Sequence, residues 1–250
     1  MWKWISAAHK GTSHEKAGLR LQDALKCFSI NAGNKDFFFG VVSDGAGSAS
    51  YGGEGASIVC RKISQAARNH LLTEALIPSD ATIDSWIDQA RDSIFFSASN
   101  RALTPRDFAA TLVCVISDGD ETVIIHIGDG CAVLNDGKEW IAPSWPDHGE
   151  YASTTFFVTD EPTLKLRITR VQIKVTSIAL FSDGLERLGL DFSELKPYAG
   201  FFDGITKPMI TSFAKGKDRN LSAALKRYLN SDPINSRTDD DKSLIIATVK

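Results

Sequence analysis

Cysteine is scarce in this chain: four in 250 residues (Cys27, Cys60, Cys114 and Cys131), with no CxxC spacing among them. Three of them lie in apolar runs, so buried free thiols are expected rather than a disulfide framework or a zinc site. Charge of one sign is lacking too. The chain carries 28 basic and 31 acidic residues, a net charge of −3, which leaves no strong basic field for nucleic acid or an anionic membrane. No apolar run approaches the ~18 residues of a membrane span. Met1-Trp2-Lys3-Trp4-Ile5 lacks the long apolar region of a signal peptide. Internal repeats, low-complexity tracts and linkers are absent as well. The expectation is one cytoplasmic domain over residues 1–250, with 43% hydrophobic residues to build a sizeable core.

What is present is an alternation of strand-like and helix-like patterns. Residues 2–8 alternate apolar and polar positions as a strand does, and residues 11–20 read as a polar loop. Residues 25–30 and 36–43 are the next strands. A glycine-rich bend follows, and then the period changes. Val59, Ile63, Ala66, Ala67 and Leu71 are spaced for a helix over about 55–75. Pro78 breaks it, and Ser79 or Asp80 caps a second helix whose apolar face is Ile83, Trp86, Ile87, Ala90 and Ile94. Two such helices in succession suit an antiparallel pair lying on a sheet. Further strands are expected at 109–117, 122–127, 131–134, 139–142, 155–158, 164–169, 177–182 and 243–249, with helices at 205–213 and 221–229. Residues 185–200 show no period. About ten strands with helices after the first few and near the end imply a layered, antiparallel α+β fold.

Six Asp-Gly pairs punctuate this pattern, and such a pair is first of all a turn signal. Asp118 and Asp136 sit between strand-like runs and read as hairpin turns; Asp203 receives the same reading. Asp44 and Asp183 differ, because each ends an apolar strand (FFFGVVSD and IALFSD) with no quick return strand. A carboxylate buried at such a strand end is costly without a cation or donor. A third acidic group, Asp239-Asp240-Asp241, precedes the last strand. Oxygen-only ligands select hard cations, Mg²⁺ or Mn²⁺. Two of these ~3.5–4 Å apart bind a phosphoryl group and activate a water for in-line attack. Gly45 lets its carbonyl approach a metal without a side chain in the way. The residues alone thus point to a metal-dependent hydrolase of phosphate esters.

Seven stretches in order resemble the metal-dependent protein phosphatases of the type 2C family, in its compact bacterial branch. They are Ser43-Asp44-Gly45-Ala46-Gly47-Ser48, Gly53-Glu54-Gly55-Ala56-Ser57, residues 108–112, Ile127-Gly128-Asp129-Gly130, Gly149-Glu150-Tyr151-Ala152 with Thr155, Phe181-Ser182-Asp183-Gly184-Leu185, and Asp240-Asp241-Lys242-Ser243. The resemblance implies a four-layer α-β-β-α sandwich of two antiparallel sheets flanked by helix pairs. It implies that Asp44 bridges two Mg²⁺ or Mn²⁺ ions, that the Gly45 carbonyl completes one shell, and that Asp183 and Asp240 hold the other ion. Asp23 would act through metal-bound water, and Asp107 falls near the acid that binds a third, weaker metal. The implied substrates are phosphoserine and phosphothreonine in proteins, with a serine/threonine kinase as counterpart.

Departures from the family pattern give a rival reading, a non-catalytic relative that binds a phosphorylated partner or kinase. Gln22 replaces a glutamate, Asp241 an asparagine, and Ala46 stands where some members have a histidine. The family's phosphate-binding arginine falls at Gly18, leaving Arg20 or His14 to supply that charge. His126 reads as a packed or edge histidine, His148 as a surface-loop histidine within reach of a cleft, and the five tryptophans as core or sheet-face aromatics. Residues 215–219 read as a solvated helix junction.

Overall fold

A computed structural model of the chain describes residues 1–149 and 155–249. In β3 (Lys35–Ser43) the side chains alternate between two cores. Phe37, Phe39 and Val41 join one apolar cluster, while Phe38 and Val42 join another. A continuous apolar run is what a strand needs when both of its faces are covered. Its partners are β2 (Ala24–Ala32), β4 (Leu112–Ser117), β5 (Thr122–Ile127) and β8 (Arg167–Val171), in the order β2-β3-β4-β5-β8, all antiparallel. On the outer face lie α2 (Gly52–Thr73) and α3 (Asp80–Ser99), which bring Ile63, Leu71, Ile83 and Trp86 against Phe37 and Phe39. The α3 N-terminus is capped by Ser79 Oγ, which accepts from the Thr82 N–H.

The second sheet contains β1 (Trp2–His9), β6 (Cys131–Asn135), β7 (Trp140–Ser144), β9 (Ser177–Phe181), β12 (Gly216–Lys217) and β13 (Lys242–Val249), in the order β12-β1-β13-β9-β6-β7. Its inner face puts Trp2, Trp4, Leu180 and Ile245 against Phe38 and Val42 of the first sheet. Its outer face puts Ile5, Phe181, Leu244 and Ile246 against Phe202, Met209 and Leu225 of α5 (Ala199–Thr211) and α6 (Arg219–Leu229). The result is the expected α-β-β-α stack. Among the described residues its one parallel pairing is the short β1–β12 ladder.

Local differences have local causes. The loop expected at 11–20 contains α1 (Thr12–Lys16), because Gly11 and Ser13 are tied to the segment before β13: Gly11 N donates to Asp241 Oδ1 (2.7 Å) and Ser13 N to Asp239 O (2.9 Å). The strand expected from 109 begins at Leu112, since Ala109 and Ala110 instead hold the Asp44 loop through Ala46 N to Ala109 O (2.9 Å) and a Gly45–Ala110 bridge. Residues 155–158 form no strand; Asp160 Oδ2 accepts from Phe157 N (2.8 Å) and turns the chain, and Thr155 makes only a single bridge to His148. The strand expected at 164–169 is shifted to Arg167–Val171.

The periodless stretch 185–200 folds as α4 (Glu186–Gly189) and a two-residue hairpin, β10 (Leu190–Asp191) with β11 (Lys196–Pro197). The helix expected at 205–213 starts six residues earlier, at Ala199, because Gly200, Gly204 and Pro208 mask its period. Asp203 is therefore not in a turn. It lies in α5 and accepts from Trp140 Nε1 at 2.8 Å. Before β13, α7 (Asp232–Asn235) completes the chain.

Candidate metal centre

Strand register assembles the acidic groups. In the β2–β3 ladder Ala24 faces Ser43, so Asp23 and Asp44, one step beyond, face each other. In the β6–β9 ladder Cys131 faces Phe181, so Asp129 and Asp183, two steps beyond, do likewise. Asp240 and Asp241 enter from the segment that starts β13, which pairs with β9. The two sheets are joined here. Asp23 Oδ2 accepts from Ser182 Oγ (2.8 Å), and Ser182 Oγ accepts from the Ser243 N–H (3.0 Å).

Asp44 is held by its backbone: its N–H donates to Thr111 Oγ1 (3.0 Å) and its carbonyl accepts from the Thr111 N–H (2.8 Å). Two glycines permit close approach. A Cβ on Gly45 would stand 2.2 Å from the Gly52 carbonyl carbon at the start of α2, and one on Gly184 would stand 2.0 Å from the Asp241 carbonyl oxygen.

The electrostatics are those of like charges held close together. Burial pushes the Asp44 carboxyl well above the usual carboxylate range, and the neighbouring charges of Asp23, Asp183 and Asp240 push it further. Asp183 is raised in the same way by burial and by Asp129, Asp240 and Asp23. Burial also lifts Asp23, to about 6, against the pull of hydrogen bonds from Asp44, Ser182 and Ser243. Asp129 and Glu186 are raised by burial, with His148 pulling both back. Like charges this close cannot all ionise without a cation. Asp23 Oδ1 and Asp183 Oδ1 are buried and no donor reaches them. An all-oxygen set with orphaned carboxylate oxygens fits hard divalent cations, so the residues present suit the implied metals.

Other expected residues stand in different surroundings. Asp107 closes a capping box on the 3₁₀ turn Pro105–Phe108: Oδ2 accepts from the Thr104 N–H (3.0 Å) and Oγ1 (2.8 Å), and Oδ1 from Ser50 Oγ (3.2 Å). Arg20 is exposed, in the irregular segment after α1. His14 faces Asp241, with Nδ1 3.0 Å from Oδ1 and its side chain 14% exposed. His14, Asp240 and Asp241 offer ligand atoms within 4.8 Å of one another. Asp241, however, is already engaged. Its carboxylate accepts the Gly11 N–H (2.7 Å) and the Gln22 N–H (2.6 Å), so the added charge at this position works as a staple faced by His14. Gln22 keeps a buried side-chain oxygen with no donor, next to Asp23. Ala46 is packed with Ala49, Ala109 and Phe157 in a small apolar contact. Residues 150–152 of the fifth stretch lie outside the described residues.

Four contributors escaped the sequence reading. Asp129 sits in the quoted Gly-Asp-Gly turn, and only the β6–β9 register reveals that it faces Asp183. Glu186, Arg187 and Arg237 line a cleft of about 230 Å³ with Asp183 and Asp240, and nothing in their local sequence marks them. His148 is no simple surface residue either, since its Nε2 lies 3.4 Å from Glu186 Oε2 at the rim of this cleft.

Comparison with known proteins identifies the family. The description of the protein phosphatase 2C family matches residues 10–230. The chain is 34% identical over 248 residues to serine/threonine-protein phosphatase 3 of Escherichia coli (strain K12), covering 98% of each chain. Among solved structures it is similar to serine/threonine phosphatase Stp1 from Staphylococcus aureus (TM-score 0.67, 16% identity, 100% of this chain and 96% of that one). It is also similar to the catalytic domain of the serine threonine protein phosphatase PstP, solved in complex with two manganese ions (TM-score 0.64, 14% identity, 99% and 97% covered). With the family description spanning most of its length and a relative at 34% identity from end to end, this chain belongs to the protein phosphatase 2C family.

Proposed function

We propose that the chain is a Mg²⁺- or Mn²⁺-dependent phosphatase of phosphoserine and phosphothreonine in proteins, with the opposed pairs Asp23/Asp44 and Asp129/Asp183 as its centre. The observation that carries this reading is the partly buried cluster of facing carboxylates, whose joint ionisation requires a cation. Asp44 would bridge two ions, the Gly45 carbonyl would serve one, Asp183, Asp240 and Asp129 the other, and Asp23 would act from the adjoining position. Two ions bound there supply Lewis acidity that activates water and neutralises the phosphoryl group.

The chain's own residues do the rest. Thr111 fixes the Asp44 backbone, and Ser182 and Ser243 orient Asp23 across the two sheets. Arg187 and Arg237 line the same cleft as Asp183 and Asp240, which favours them over Arg20 or His14 as the cations that would face phosphate oxygens. Asp107 is engaged by its cap, so a third ion there would have to displace hydrogen bonds from Thr104 and Ser50. No helix among the described residues is long and apolar enough to cross a membrane. A cytoplasmic site of action, on proteins phosphorylated by a serine/threonine kinase, completes the reading.

The test is hydrolysis of a phosphothreonine peptide with Mn²⁺. The wild type turns it over, and Asp44→Ala or Asp183→Ala loses about 10³-fold or more, the scale of several kcal/mol of transition-state charge stabilisation. Full activity in either variant contradicts the assignment. Absence of Mn²⁺ binding at millimolar concentration favours the non-catalytic scaffold.

A further inference from the structure

A second cleft, of about 530 Å³, opens where the free edge of β2 meets α2 and β12. Four cations line it: Lys26 from β2, Arg61 and Arg68 from α2, and Lys217 from β12. No carboxylate lines it, and none of the four takes part in an ion pair among the described residues. Two acids close in sequence to these cations are committed elsewhere. Asp218 caps α6 through the Leu221 N–H (2.9 Å) and accepts from Ser212 Oγ (2.5 Å), while Glu54, on α2, pairs with Arg101 (2.6 Å). In a chain of net charge −3, four positive side chains around one cleft with no acid among them form an uncompensated anion site. One cation is already oriented. The Arg68 guanidinium stacks on the Phe28 ring at 4.3 Å, which limits the rotamer freedom lost on binding.

The cleft and the metal centre are built on the same two elements. β2 leaves Asp23 and reaches Lys26 three residues on, about 10 Å at strand rise. α2 starts against Gly45 and reaches Arg61 nine residues on, about 14 Å at helical rise. An extended peptide spans 10–14 Å in about three to four residues.

We infer that this cleft is a second phosphate subsite, which takes a phosphorylated side chain of the substrate about three to four residues from the one hydrolysed. The inference rests on the phosphatase reading for its choice of a phosphopeptide as occupant, and it makes multiply phosphorylated segments the preferred substrates. Phosphate oxygens would meet Lys26, Arg61 and Lys217, with Arg68 held ready by Phe28.

The test is fluorescence anisotropy in Mn²⁺ with peptides that carry non-hydrolysable phosphonate analogues of phosphothreonine, so that both subsites are formed and binding is read without turnover. Two labelled peptides are compared, one with the analogue at a single position and one with it at two positions about four residues apart. The wild type binds the doubly substituted peptide about tenfold or more tightly than the single one, as two added charge-assisted contacts allow, and Arg61→Glu/Lys217→Glu abolishes that preference. Equal affinities in the wild type, or a preference that survives in the double variant, overturns the inference. So does competition by free pyrophosphate without any preference among the peptides. Failure of the phosphatase reading shows separately, as absence of turnover of the corresponding phosphothreonine peptides in Mn²⁺.

Discussion

At the scale of single residues, the groups that act most strongly on Asp44 are all carboxylates: Asp23, Asp183 and Asp240. Hydrophobic packing around the strand ends holds them together against their repulsion, which is a cost the metal-free protein bears. Removing one charge therefore has opposite effects in the two states. Asp44→Asn should raise the melting temperature in EDTA at pH 7.5 by about 3–6 °C, corresponding to ~1–2 kcal/mol. The same variant should lose the rise in melting temperature that Mn²⁺ gives the wild type. Thermal denaturation with and without Mn²⁺ reads both. A variant that is less stable in EDTA, yet still stabilised by Mn²⁺, argues that Asp44 is an ordinary structural carboxylate.

At the scale of elements, the site depends on how the segment before β13 is anchored. Asp241 accepts the backbone N–H groups of Gly11 and Gln22, linking α1, the Asp23 segment and the start of β13. Asp241→Ala leaves one buried and one partly buried donor without a partner and should cost about 2–4 kcal/mol by chemical denaturation, whereas Asp241→Asn should cost less because one acceptor remains. Equal stability of all three proteins would remove the staple. Element scale is also where the sequence was most and least legible. Phe37-Phe38-Phe39 announced a strand covered on both faces, and Asp44 and Asp183 stood out because an apolar strand led into each without a return. Asp129 stayed hidden because its role comes from facing Asp183 across a ladder, which only the pairing specifies. Arg187 and Arg237 stayed hidden because a cleft, not a motif, brings them together. α5 was cut short in the reading because Gly200, Gly204 and Pro208 interrupt its period, while packing of Phe202 and Met209 on β9 and β13 sustains it.

At the scale of the whole molecule, two sheets end together, and the carboxylates at that end couple stability to pH and to metal. A folded carboxyl raised above its unfolded value binds protons more tightly in the native state, so stability is lost as pH climbs through the folded value. For Asp23 the window runs from the ordinary 3.8 to about 6, and Asp44 and Asp183 act in the same direction. The metal-free protein should therefore melt at a higher temperature at pH 5 than at pH 7.5, and Mn²⁺ should stabilise it more at pH 7.5, where binding competes with fewer protons. A metal-free protein more stable at pH 7.5 than at pH 5 would assign the cluster a counter-charge from the chain itself.

The central claim, that five aspartates at the sheet ends hold two hard cations, is tested most directly by calorimetric titration of metal-free protein with Mn²⁺ near pH 6.5, in two buffers of different ionisation enthalpy. Two ions should bind per chain, with net release of protons from carboxyls that the cluster had kept protonated. Absence of saturable binding below about 1 mM, or binding without proton release, would contradict it.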